Sequence, residues 1–138
     1  MKKISIEEVN HLNKNTMMEQ LGIEYTVVEE GYMKAKMPVD RRTYQPYGIL
    51  HGGASIALAE TLASFGSALM VDTDSFHVKG QNVTANHIRS VSHGWVYGEA
   101  KIVHKGRTTH LWNVDILNEE EKLVSTCRLT IFIVPKQS

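Results

Sequence analysis

Glu60 is the one formally charged side chain between His51 and Val71, in a run otherwise made of apolar, small and hydroxyl residues. Most glutamates on a helix are solvated surface residues. Among neighbours of this kind a second reading opens. A partly buried carboxylate costs free energy unless it is paired or used, and burial brings a carboxyl toward the working range of a general base. The other reactive residue types lead nowhere comparable. Cys127 is the only cysteine, which excludes an internal disulfide and a CxxC pair and suits a reducing compartment. The seven histidines form no HExxH motif, Cys/His cluster or carboxylate–histidine set, so no metal or redox cofactor is implied. Lys105-Gly106-Arg107-Thr108-Thr109 lacks the glycine spacing of a phosphate-cradling P-loop.

The element that must carry Glu60 is legible from the same run. Residues 51–71 contain no proline and are long enough for about five to six helical turns. At about 100° per residue, Leu58, Leu62, Phe65 and Leu69 fall on one side, and Gly53, Ala57, Glu60, Ser64 and Ser67 on the other. A solvent-facing stripe normally carries several charges, so this second face of small residues is expected to have something packed closely against it. Upstream, residues 5–21 read as one or two short helices, with Ser5 and Glu8 as a capping box and Gly22 as the stop. Residues 23–30 and 32–38 read as a strand pair turning at Gly31. Beyond the helix, 78–90, 95–104, 107–117 and 123–134 alternate in the strand manner between turn signals. Consecutive strands on short turns are antiparallel neighbours, and one long helix must bury a face on their sheet. The predicted fold is α+β: an antiparallel sheet wrapped around one helix at about 51–71, as a single domain over 1–138.

Composition narrows the class of partner. Fifteen basic residues balance fifteen acidic ones, which offers no charge excess for nucleic acid or an acidic membrane. The basic run Met1-Lys2-Lys3 meets Glu7 and Glu8 before any apolar segment develops, so export is not expected and the cytoplasm is. Glycines, serines, His51 and Glu60 dilute 51–71 too far for a membrane span.

The ordered set Met37-Pro38-Val39-Asp40, Gln45-Pro46-Tyr47-Gly48-Ile49-Leu50-His51-Gly52-Gly53-Ala54-Ser55 and Ala59-Glu60-Thr61 resembles the hotdog-fold thioesterases. The group is that acting on 4-hydroxybenzoyl-CoA and 1,4-dihydroxy-2-naphthoyl-CoA, close to the phenylacetate-pathway enzymes. The likeness continues through Thr84-Ala85-Asn86-His87-Ile88-Arg89-Ser90 and His104-Lys105-Gly106-Arg107 and covers nearly the whole chain. His-Gly-Gly alone is weak evidence; Glu nine residues after the histidine, in this order of segments, is specific. The resemblance implies hydrolysis of an acyl-CoA, with an aromatic acyl group favoured. Glu60 matches the catalytic carboxylate, as general base or as nucleophile. Gly52 matches the backbone donor to the thioester oxygen, a role that suits the unpaired amides and positive dipole of a helix start. Gln45 matches a side-chain amide near the thioester, His51 a residue shaping the site, and Ser64 a hydroxyl one turn beyond Glu60.

Coenzyme A asks for positive charge at its phosphates. The segments matching its binding arm are Gly80, His87, Ile88, Arg89 and Ser90, with His104, Lys105, Gly106, Arg107, Thr108 and Thr109. Gln81 and Thr84 depart from the group's pattern, where an apolar residue and an asparagine are expected, so the contacts there differ. Met17, Met18, Phe65, Met70 and Phe76 are candidates for the acyl lining. Coenzyme A is part of the substrate, and no cofactor is expected. A homo-oligomer, a dimer or a tetrameric dimer of dimers, is expected because a lone subunit leaves a sheet edge open. The alternatives are a non-catalytic acyl-CoA-binding module and a hydratase or dehydratase using His51 and Glu60. An α/β-hydrolase is excluded by chain length and the lack of a GxSxG elbow.

Overall fold

Ser5 opens the first helix as its sequence context requires, its Oγ accepting from the Glu8 N–H at 3.1 Å. The computed structural model describes residues 3–137, so Met1, Lys2 and Ser138 lie outside the described residues. Helix α1 (Ile6–His11) is followed by α2 (Met17–Leu21), which stops at the left-handed Gly22. Two amides hold this pair against the free edge of β1 (Glu24–Glu29). Asn10 pairs with both backbone groups of Tyr25, donating at 3.1 Å and accepting at 2.7 Å, and buried Asn13 donates to the Ile23 carbonyl at 3.0 Å. Side chains thus stand in for a neighbouring strand and satisfy an edge that would otherwise be bare.

The remaining elements are β2 (Tyr32–Pro38), α3 (Gly52–Ala68), β3 (Phe76–His87), β4 (Trp95–Lys105), β5 (Thr109–Leu117) and β6 (Leu123–Pro135). They form a six-stranded sheet in the order β1-β2-β4-β5-β6-β3, every pairing antiparallel. The chain crosses from β2 through α3 to the far edge, lays down β3, and fills the middle with β4 to β6. The expected wrapping of a sheet around one helix is therefore what forms, a hotdog fold. Boundaries differ by a few residues. His51 caps α3 and does not begin it, Leu69 caps its end, β3 starts earlier and stops at His87, and β5 begins at Thr109.

The sheet curls around more of α3 than a single apolar stripe suggests. Ala54, Ser55, Leu58, Ala59, Leu62, Ala63, Gly66 and Ser67 are all buried, two adjacent rows along the helix. This corrects the expected faces in two places. Ser67 lies on the core side, where its Oγ accepts from Trp112 Nε1 at 2.8 Å and meets His110 Nδ1 at 2.8 Å. Phe65 is only half-buried, at the rim of the groove, where it packs against Tyr25 of the edge strand β1 with ring centroids 5.3 Å apart. Nor is the small-residue face closely packed: Gly53, Ala57, Glu60 and Ser64 border an open groove, and the close approach to the sheet is made at Gly66, where a β-carbon would come within 2.6 Å of Trp112 Cη2. Strand interiors supply the rest of the core, with Met33, Met37, Val96, Trp112, Val114, Ile116 and Ile131 fully buried. No helix among the described residues is long and apolar enough to cross a membrane.

Candidate active site

The open face of α3 is a groove. A cavity of about 650 Å³ runs along it, floored by Gly53, Ile56, Ala57, Glu60, Thr61, Ser64, Phe65 and Ala68, and walled by Val9, Leu12, Met17 and Met18 of the leading helices, Tyr25 of β1 and Val78 of β3. The lining is apolar except for Glu60, Ser64, Thr61 and Asn13, the composition expected where an acyl group is gripped and one polar centre acts on it. Glu60 is exposed within the subunit, contrary to the expectation of partial burial, because this is the side of the helix that the sheet leaves uncovered. Its carboxylate leans over β3: a β-carbon at Gly80 would come within 2.8 Å of Glu60 Oε2. Gly80 therefore sits under the carboxylate, at an irregularity in the β3–β6 pairing.

The start of α3 is built by a loop held at its neck. His51 N–H donates to the Thr43 carbonyl at 2.8 Å and Leu50 N–H to the Val91 carbonyl at 2.8 Å. His51 Nδ1 accepts from Gly53 N–H at 2.7 Å, so the histidine caps the helix with its own imidazole. Ala54 and Ser55 N–H donate to the His51 carbonyl. Gly52 is left with the free donor of the first turn, aligned with the positive end of the helix dipole. Gln45 Oε1 accepts from Tyr47 N–H, which fixes the loop and leaves the amide nitrogen available.

Not all of the expected site gathers in one place. Glu60 and Ser64 share the large groove, whereas Gly52 lines a second cavity of about 240 Å³ with Ser55, His87, Ile88, Arg89 and Ser90. Glu60 lies eight residues beyond Gly52, about 12 Å of helix. The two candidate coenzyme A segments are also apart. His87 pairs with Ser125 at one end of the sheet, while Thr109 pairs with Phe132 near the other. There Lys105, Gly106 and Arg107 join Val71, Asp72, Phe76 and His110 around a cavity of about 330 Å³. Past the end of β3, Ile88 and Arg89 N–H both donate to the Val124 carbonyl, and the Arg89 guanidinium donates to the Leu123 carbonyl at 2.6 Å. Gly106 N–H donates to the Thr109 carbonyl at 2.9 Å and Thr108 accepts from Ile133, so His104 to Thr109 form a tight hairpin end, with Lys105 3.9 Å from Glu30.

Of the candidates for the acyl lining, Met17, Met18 and Phe65 line the groove, while Phe76 lines the cationic cavity instead. Sequence reasoning missed Val9, Leu12, Tyr25 and Val78; the spacing of Val9 and Leu12 on α1 was a usable signal, whereas Tyr25 and Val78 depended on sheet order. Among the described residues no three His, Cys, Asp or Glu side chains come together to hold a metal ion.

Comparison with known proteins agrees with this fold. Residues 47–125 match the thioesterase superfamily, a span running from the last residues of the loop through α3, β3, β4 and β5 to the start of β6. The chain is 44% identical over 128 residues to the proofreading thioesterase EntH of Klebsiella pneumoniae subsp. pneumoniae, covering 93% of each chain. A thioesterase of Haemophilus influenzae superposes with a TM-score of 0.92 at 40% identity, over 97% of this chain and 93% of that one. A mutant thioesterase of Pseudomonas aeruginosa gives 0.94 at 40% identity, over 98% and 97%. With its hotdog sheet, its capped helix and an apolar groove ending on a carboxylate, the chain belongs to the thioesterase superfamily and is a thioester hydrolase.

Proposed function

We propose that this thioesterase hydrolyses acyl-CoA, aromatic acyl groups among them, to the free acid and coenzyme A. The observation that carries the reading is the apolar groove of about 650 Å³ with Glu60 and Ser64 set into its floor. The Glu60 carboxylate either takes a proton from water as that water adds to the carbonyl carbon, or adds to the carbon itself to give an anhydride that water then opens. The negative charge that develops on the oxygen is met by Gly52 N–H, and collapse expels the thiolate of coenzyme A. Gln45, His51 and Ser64 order the loop, the helix cap and the attacking group. Arg89, Lys105 and Arg107 are the cations offered to the nucleotide phosphates. The lone, buried Cys127, its thiol pushed up to about 11 chiefly by burial, suits a cytoplasmic enzyme.

Such a site requires two subunits. A carbonyl oxygen bonded at Gly52 lies too far from Glu60 of the same chain, since attack needs the reacting atoms about 3–3.5 Å apart. β3 is a twelve-residue edge strand, and an unpaired edge of that length invites a second copy. An antiparallel pairing of two β3 strands centred between Val83 and Thr84 sets Gly80 of one chain opposite His87 of the other. Glu60 overlies the first and Gly52 adjoins the second, so this pairing completes the site, and it also brings the two coenzyme A segments toward one another. The assembly is a homodimer, or two such dimers as a homotetramer.

The test is turnover of benzoyl-CoA, followed as free thiol, beside an enoyl-CoA followed as loss of alkene absorbance. Glu60→Ala should lower kcat by several orders of magnitude with an unchanged Tm, because the side chain is exposed. Near-normal turnover removes Glu60 from the mechanism. No thiol release from any ester by the wild type overturns acyl-CoA hydrolysis, and hydration without thiol release favours the hydratase reading.

A further inference from the structure

The inner face of β6 carries one polar side chain where the strand meets the start of α3. Ser125 has no exposed surface, and a buried hydroxyl without a partner is costly. Its partner is His87, the residue directly opposite it in the β3–β6 register: Ser125 Oγ and His87 Nδ1 are hydrogen-bonded. The second ring nitrogen reaches the helix start. A β-carbon at Gly52 would lie 2.8 Å from His87 Nε2 and 3.0 and 3.1 Å from the adjoining ring carbons. Glycine at 52 is thus what admits the imidazole, beside the one amide of the first turn that has no other acceptor.

We propose that His87 is a second hydrogen-bond donor to the thioester oxygen, alongside Gly52 N–H, and that Ser125 is the positioning residue that holds it there. The proposal rests on the thioesterase reading above. A hydroxyl donating to Nδ1 leaves the proton on Nε2, the tautomer able to donate to a carbonyl, and a neutral imidazole is competent for that task. Oxyanion stabilisation gains from donors already fixed about 2.7–3.1 Å from where the charge will appear. Gly52 and His87 belong to different elements, so the buried Ser125 contact and the missing side chain at 52 together set their spacing. Had His87 served only the nucleotide arm, nothing would require its ring to be clamped from beneath the sheet and fitted against a glycine.

The experiment is kcat and KM for benzoyl-CoA in wild type, Ser125→Ala, Ser125→Thr, His87→Ala, Gly52→Ala and the double variants on the His87→Ala background. Loss of one donor is expected to lower kcat about 100-fold in His87→Ala and about 10-fold in Ser125→Ala, where the ring is only loosened. KM should stay within about threefold, the signature of an interaction made in the transition state. Ser125→Thr keeps the hydroxyl and should retain most of kcat. Gly52→Ala keeps its amide but drives the ring away, and should lose about as much as His87→Ala. Neither Ser125→Ala nor Gly52→Ala should slow the His87→Ala enzyme further. Additive losses, or a raised KM with kcat intact, in an active wild-type enzyme overturn this proposal alone. A wild type that releases no thiol overturns the functional reading, and this one with it.

Discussion

Two side chains show how a single residue's surroundings turn into a measurable property. His110 is buried, and burial first, then the neighbouring charges of Lys105 and His104, lowers its proton affinity. Its Nδ1 is hydrogen-bonded at 2.8 Å to Ser67 Oγ, which also accepts from Trp112 Nε1, so the ring is held in that buried setting by a neutral hydroxyl and not by a carboxylate. The sign of the linkage follows. Below about pH 6.5 the unfolded chain takes up a proton that the native state resists, so stability falls as pH drops through that range. Tm should therefore decline between pH 7 and pH 5.5, and His110→Gln should flatten part of that decline; an unaltered slope would remove His110 as its source. Phe65 governs a different property. It packs at a tilt against Tyr25 in the large groove proposed for the acyl group, and Phe65→Ala should shift kcat/KM from benzoyl-CoA toward bulkier acyl groups by about 10-fold, the worth of one or two methylenes of pocket. An unchanged preference across an acyl-CoA series would move the acyl group out of this groove.

Elements matter here as surfaces that make each other's walls. The leading helices are too short to persist alone, and Asn10 and Asn13 tie them to the backbone at β1. Asn13→Ala leaves the Ile23 carbonyl without its donor, a cost of about 1–3 kcal/mol. Thermal denaturation should show a Tm lower by several degrees, and KM should rise more than kcat falls, since the helices wall the groove and do not touch the reacting bond. A Tm equal to wild type would show that the amide carries none of this load. The capping of these helices at Ser5 and Gly22 was readable in advance because capping is a local event, settled within one turn. Their docking was not, because it depends on which strand ends at the sheet's edge.

At the scale of the molecule, the eight-position separation of Gly52 and Glu60 along one helix governs how the proposed site can be built. Hybrid complementation tests this directly. Glu60→Ala and His87→Ala subunits, each expected to keep about a hundredth of wild-type activity or less alone, should on mixing and re-equilibration recover about a quarter of it, since half the random dimers are mixed and one of two sites in each is intact. No recovery, with exchange verified by mass, would mean that the site lies within one chain. The helix, the number of strands and the isolated charge at Glu60 were readable from the amino-acid order, because periodicity and turn chemistry act over a few residues. Gly52 and His51 came from the ordered motif around them, and the contact by which His51 caps the helix at Gly53 emerged with the structure. Tertiary structure alone decided that Ser67 faces the core, that Phe65 faces the groove, that Gly80 lies under Glu60 and that Ser125 meets His87. Each of those follows from strand order, register and the curl of the sheet, which bring together residues tens of positions apart through packing that no local pattern encodes.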